Sequence, residues 1–185
     1  MNKILFSLFL LACTLVVFLQ MRPTQRKLRT TETPASIINL ELAYDTIHTA
    51  KVLTAWNTDE KVAAAKENTY IDFALIICYA LFLFFSCNNL AKNFCGKMGN
   101  LGKLLSKAAL IAGLLDVVEN SGMLITLNGH TNAVVSLVTA TCSGIKWLFI
   151  IVCFLYIVLA GLLMLYRLAR HHRKQDIPKL TQPLL

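Results

Sequence analysis

The chain has 185 residues, 56% of them hydrophobic and 15% charged, and a formal net charge of +8 from 18 Lys and Arg against 10 Asp and Glu. A soluble domain averages about 45–50% apolar and about 25% charged residues, so this composition excludes a disordered chain and argues against a water-soluble globule. The length excludes a large multidomain enzyme and leaves a small membrane protein with a single membrane domain, 1–185.

The first apolar stretch, 4–21, is 18 residues without a charge. A hydrocarbon core about 30 Å thick needs about 20 mostly apolar helical residues, so the stretch suits a span. A cleaved signal peptide has a similar look, with Lys3 ahead of the run. The run exceeds the usual apolar region of about 7–15 residues, however, and no small-x-small site follows it. Leu10-Leu11-Ala12-Cys13 faintly resembles a lipoprotein box, but Thr14 to Leu19 continue the apolar run past Cys13. The retained span is the expectation; the cleaved signal and the lipoprotein stay open beside it.

An external helical segment is expected over 34–69. Thr33-Pro34 reads as a helix start, a capping hydroxyl before a proline at the first helical position. From Ile37, the recurrence of Leu40, Tyr44 and Ile47 gives an amphipathic helix with one apolar side. Asn57 and Glu60 have capping-box spacing, and a second helix is expected from Thr58 through Ala63-Ala64-Ala65 into the next span. Trp56 suits an interfacial level, with the first helix on the mouth of the bundle or in the membrane surface.

Three further spans follow. The stretch 70–91 carries only Asp72, 104–127 carries Lys107, Asp116 and Glu119, and 145–166 carries only Lys146. Cys95 to Gly102 reads as a glycine-bearing loop flanked by lysines. It is not a phosphate-binding loop, because no G-x-x-x-x-G-K-[ST] and no preceding strand occur. With the N-terminus inside, ten Lys and Arg (Lys107 included) fall on the cytoplasmic side and seven on the other. The connection 128–144 has neither, as an external loop should. Both termini are therefore expected in the cytoplasm, in the cell membrane (the inner membrane of a Gram-negative cell). The cluster Arg26-Lys27-Leu28-Arg29 runs against that orientation.

The basic excess does not point to nucleic acid. It sits beside apolar runs: Arg22, Arg26, Lys27 and Arg29 after the first, and Arg167, Arg170, Arg173 and Lys174 after the last, in a basic cytoplasmic tail, 167–185. Such placement anchors a chain to anionic head-groups. The expected partners are membrane lipids, a second copy or a membrane partner protein, and no nucleic acid. None of the six cysteines forms C-x-x-C and all but Cys95 lie in apolar runs. They read as small hydrophobes rather than disulfides or zinc ligands. No metal and no cofactor is expected.

The most informative residues are the ionisable ones inside the spans. Each costs about 2.5–3.5 kcal/mol near a span centre, so it faces the protein interior or water and takes a partner. Asp116, Glu119 and Asn120 share one helical face through offsets of three and four. Asp72 lies near the outer end of the second span and Lys146 near the outer end of the fourth. All of them therefore fall in the outer half of one bundle. Lys146 is expected to pair with Glu119 or Asp72, and Asn120 to hydrogen-bond across helices. Asp116 is the expected neutral acid, because two carboxylates on one face repel.

Several runs carry a resemblance: Leu40-Glu41-Leu42-Ala43, Leu53-Thr54-Ala55-Trp56, Tyr70-Ile71-Asp72-Phe73 with Cys78-Tyr79-Ala80-Leu81, and Ala112 to Asn120 followed by Ile145-Lys146. Over about 36–165 the chain resembles an uncharacterised family of small bacterial four-span integral membrane proteins. Their distinctive element is D-x-x-E-N in the third span, here Asp116-x-x-Glu119-Asn120. The resemblance implies an architecture and a polar site, without an activity. It also implies that Glu41 and Trp56 belong with that site and that the external helix docks at the outer mouth.

The expected fold is all-α, an integral membrane four-helix bundle with an external amphipathic helical segment between spans one and two. The expected function is a non-enzymatic accessory or binding component with a buried Asp/Glu/Asn/Lys site. Two alternatives stand beside it: a proton- or cation-linked transporter or channel, weakened by the lack of inverted repeats, and a membrane enzyme acting on lipid or isoprenoid substrates with Asp116 and Glu119 as acid and base. The last lacks a nucleophile, a metal motif and an obvious phosphate clamp.

Overall fold

The computed structural model describes residues 3–175, with side chains through residue 170. The remainder of the basic tail, and the side chains of His171, His172, Arg173 and Lys174, lie outside the described residues. The described residues are all helical, with no strand: α1 (Lys3–Leu28), α2 (Ile38–Glu41), α3 (Thr46–Ala55), α4 (Asp59–Ala91), α5 (Lys97–Leu127) and α6 (Ala133–Gln175). Three of them, α1, α4 and α6, are long and apolar enough to cross a membrane, which marks a membrane protein. Their outward faces agree: Leu5, Phe9 and Leu15 on α1 and Leu148, Phe154 and Leu159 on α6 are all more than half exposed. Water would penalise such a surface and lipid does not.

α4 is the hub, packing along α1 on one side and along α5 and α6 on the other, while α5 also packs along α6. α1 makes no extended contact with α6, so the two stand apart across the face of α4 and α5. The helices approach closely through small residues, as helices in lipid do. Gly102 shows the tightness: a Cβ there would lie 2.6 Å from the Tyr156 ring and 2.8 Å from Ala91 Cβ.

The helices outrun the apolar stretches. α5 begins at Lys97, directly after Gly96 in the left-handed region (φ 68°), so the expected loop from Cys95 to Gly102 shrinks to a turn. Likewise α6 begins at Ala133, and most of the expected connection 128–144 is helix. Both segments lack prolines, and the Asn132 side chain accepts the Val135 N–H at 2.9 Å at the start of α6.

The segment between α1 and α4 departs from the expected single amphipathic helix. Residues 34–37 form turns, Ser36 has φ 60°, and α2 is one turn long. A second start follows at Asp45, whose carboxylate accepts the backbone N–H of His48 at 2.7 Å and caps α3. That cap breaks the periodicity: Leu40 is buried, while Tyr44 and Ile47 are exposed. α4 is capped by Thr58, through Lys61 N–H, rather than by Asn57. Glu60 instead pairs with exposed Lys27 at 3.0 Å.

This segment is fastened to the end of α1. The Leu28 carbonyl, at the helix terminus, accepts the Trp56 indole N–H at 2.9 Å and the Thr33 hydroxyl at 2.8 Å. The Ser36 hydroxyl donates to the Gln25 carbonyl at 2.8 Å. Carbonyls that a helix end leaves orphaned are thus satisfied. Trp56, expected at an interfacial level, is fully buried among Leu28, Ile37, Leu40, Val52 and Met123, so its ring meets protein rather than head-groups. Its polar edge is occupied by capping, and the rest of the ring fills the core.

Candidate functional site

Two apolar clusters divide the interior. One lies under α2 and α3 and includes Trp56, Ala65, Met123 and Leu127. The other, at the opposite end, packs Leu83 and Cys87 of α4 against Leu105 and Ala109 of α5 and Cys153 and Ala160 of α6. Between them lies a polar layer built from four helices.

Lys146 on α6 is its centre. Its side chain is 4% exposed, and its ammonium donates to Asp116 Oδ1 at 2.6 Å and to Glu119 Oε1 at 2.9 Å. Glu119 Oε2 is also close, at 2.8 Å, but makes no hydrogen bond of its own, so that contact is Coulombic. Glu41, carried in by the single turn of α2, places Oε2 3.9 Å from the same ammonium, and that oxygen has no hydrogen-bond partner. The Tyr79 hydroxyl of α4 donates to Asp116 Oδ2 at 2.7 Å, and Asn120 Nδ2 donates to Asp72 Oδ2 at 2.8 Å.

The structure therefore brings together Asp72, Asp116, Glu119, Asn120, Lys146 and Glu41, and sets Trp56 apart in the neighbouring core. Lys146 reaches Asp116 and Glu119 rather than Asp72. Asp116, the expected neutral acid, receives a donor on each oxygen, Lys146 on Oδ1 and Tyr79 on Oδ2, because it faces the α4–α6 groove where the two meet. Asp72 takes its one donor from a neutral side chain, Asn120. Tyr79 was not singled out from the sequence, although it stands seven residues after Asp72 on the same face of α4. Ser136, Thr139 and Ser143 were also missed. They are buried on the Lys146 face of α6 at spacings of three and four. Nearer α1, Asn68 Nδ2 donates to Thr24 Oγ1 at 2.6 Å and to the Met21 carbonyl at 3.3 Å, beside Pro23 in the helix.

A cleft of about 250 Å³ opens beside this layer. Thr14, Leu15, Phe18, Met21 and Gln25 of α1 form one wall, and Lys146, Trp147 and Ile150 of α6 the other. Asp72, Leu75 and Tyr79 of α4 with Asp116 of α5 make the floor, and Ile37, Ile38 and Glu41 close the α2 end. Because α1 and α6 stand apart, the cleft faces sideways between two lipid-compatible helices. The lining is mostly apolar with a few converging polar groups, the usual composition of a small-molecule site.

Charge sets what the site can do. Four buried carboxyl groups, Glu41, Asp72, Asp116 and Glu119, face a single buried ammonium. One cation offsets one carboxylate; the rest need protons, a second cation or strong donors in a medium of low dielectric. No known protein family, curated protein or solved structure matches the chain.

Proposed function

We propose that this chain is a four-span integral membrane protein of the non-enzymatic, binding kind, taking an amphiphilic molecule from the bilayer into the cleft beside Lys146. α5 is the fourth span in this reading. It is 31 residues long, and the two acids in its apolar run point inward, Asp116 and Glu119 being 2% and 0% exposed, while Lys107 nearer its start is exposed. Its other face offers Leu104, Leu114 and Val118 to lipid. An even number of spans puts both termini on one side. The Lys and Arg count favours the cytoplasm for that side, and in that orientation the polar layer falls in the outer half.

The observation that carries the binding role is the cleft itself. A polar layer serving only to glue helices together needs no opening beside it. Here Asp72, Asp116, Lys146 and Glu41 all line one, and its mouth lies between two helices whose flanks suit acyl chains. The expected result is that the chain purified in a mild nonionic detergent retains one amphiphile per chain by native mass spectrometry, and that Ile150→Trp, which fills the cleft, releases it. A chain that carries none, and takes up none from added lipid extract, sinks the reading.

A second reading draws on a different observation. Asn120 Oδ1, Thr139 Oγ1 and Ser143 Oγ are buried without hydrogen-bond partners, continuing the polar layer towards α3. Such a line of groups suits a proton or cation path. Proton flux into liposomes that disappears with Glu119→Gln supports it, and liposomes no leakier than empty ones refute it.

A further inference from the structure

The binding reading leaves open which head-group the cleft receives, and the following inference rests on that reading. The site already shows how it treats an ammonium. Lys146 Nζ sits at 2.6 Å from Asp116 and 2.8–2.9 Å from Glu119, which uses the chain's own cation on two acids. Two acids remain on the cleft wall with capacity to spare. Glu41 is 7% exposed and lines the cleft, and its Oε2 atom, 3.9 Å from Lys146 Nζ, has no hydrogen-bond partner. Asp72 lines the floor and accepts from Asn120 Nδ2 alone.

A buried acceptor without a donor is costly to leave so, and a carboxylate costs more than a neutral group. Of the complements open to these acids, a donor bearing positive charge supplies the hydrogen bond and the counter-charge together. A divalent ion is a poor candidate, because the point on which Glu41, Asp116 and Glu119 converge is filled by Lys146 Nζ. An anionic head is disfavoured by the excess of acids over cations. The rest of the lining, Leu15, Phe18, Leu75 and Ile150, is apolar. At about 250 Å³ the cleft is slightly smaller than the ~300–1,000 Å³ usual for ligand pockets. It accommodates a head and its first carbons, while a longer chain continues between α1 and α6 into the lipid.

We propose that the cleft binds a single-chain amphiphile with an amine or ammonium head, seated between Glu41 and Asp72 with its alkyl chain leaving between α1 and α6. Lys146 is then the inner cation that holds Asp116 and Glu119, and the ligand is the outer cation that completes the acid set. Charge-assisted hydrogen bonds to a carboxylate are the strong ones, so removing either wall charge weakens binding.

Trp147 lines the cleft and provides the reporter, since the other tryptophan, Trp56, is fully enclosed. The full chain is placed in phosphatidylcholine nanodiscs and titrated with three bromine-labelled dodecyl amphiphiles: dodecylamine, dodecanoic acid and a neutral dodecyl glycoside. The expected result is saturable quenching of Trp147 by the amine alone. Unbrominated dodecylamine restores the emission, and Trp147→Phe abolishes the effect. Glu41→Gln, which disturbs no hydrogen bond at Oε2, weakens the amine about tenfold, as does Asp72→Asn. Saturable quenching by the acid or the glycoside at equal or lower concentration overturns the head-group assignment and leaves the binding site standing. Amine binding unchanged in both variants overturns the seat between Glu41 and Asp72. No saturable quenching by any of the three overturns both this inference and the binding reading beneath it.

Discussion

The two halves of the interior are held together in different ways. Around Leu83, Ala109 and Cys153 the helices meet through small and apolar side chains, and the side-chain hydrogen bonds between helices there run to backbone carbonyls, such as Cys153 Sγ of α6 to the Leu105 carbonyl of α5 at 3.3 Å. Around Lys146, contacts between α2, α4, α5 and α6 run through charges. In lipid the first kind gains little from excluding solvent, because acyl chains are as apolar as leucine, and its stability is close packing. The second kind is decided by charge balance, where an unmatched group is expensive and a matched one contributes little net. Close packing tolerates small losses and punishes additions; the charged layer punishes the loss of one member.

The largest test removes the cation. Lys146→Met leaves Asp116 and Glu119 buried without their counter-charge, a loss of about 3–5 kcal/mol. Thermal unfolding in detergent reads it, and an unchanged midpoint would mean that the layer is not governed by charge balance. An addition to the packed half comes next. Gly102→Ala puts a methyl against the Tyr156 ring and Ala91, neither of which can withdraw without moving a helix. The expected destabilisation is about 1–3 kcal/mol. A neutral result would show that half to be looser than its contacts imply.

The smallest effect lies outside both halves, at the cap of α3. The His48 backbone N–H, aided by its imidazole, holds the Asp45 carboxyl below its ordinary value of 3.8. A lowered acid stabilises the folded form above its unfolded pKa, and that contribution disappears as the pH falls through the folded value. Amide exchange in α3, corrected for intrinsic rate, is therefore expected to rise as the pH drops below about 3.8, while Asp45→Ala shows the faster exchange already at neutral pH. Exchange in α3 that ignores both changes removes the cap from the account.

What could be read from the sequence follows the same division. Asp72, Asp116, Glu119 and Lys146 were legible because ionisable groups stand out in apolar runs and have few ways to avoid their cost. Tyr79 was hidden because a tyrosine is ordinary in such a run and only its spacing from Asp72 marks it. The wall of the cleft on α1 was not legible at all. Leu15 and Phe18 look the same in sequence whether they face lipid or a cleft, and only the separation of α1 from α6 distinguishes the two. The segment from Thr33 to Trp56 misled for a local reason. Apolar periodicity argued for one helix, but Asp45 caps a new one, and Trp56 spends its N–H on the end of α1 instead of sitting at a water–lipid boundary.

That last bond ties the leading helix into the rest of the molecule. Severing the chain just behind Leu28 would remove the carbonyl that orders the Trp56 indole, the backbone acceptors that Asn68 and Ser36 reach, and one entire side of the amphiphile cleft. A product cut there would lack the α1 wall of the cleft, so maturation by such a cut and the proposed amphiphile binding exclude one another.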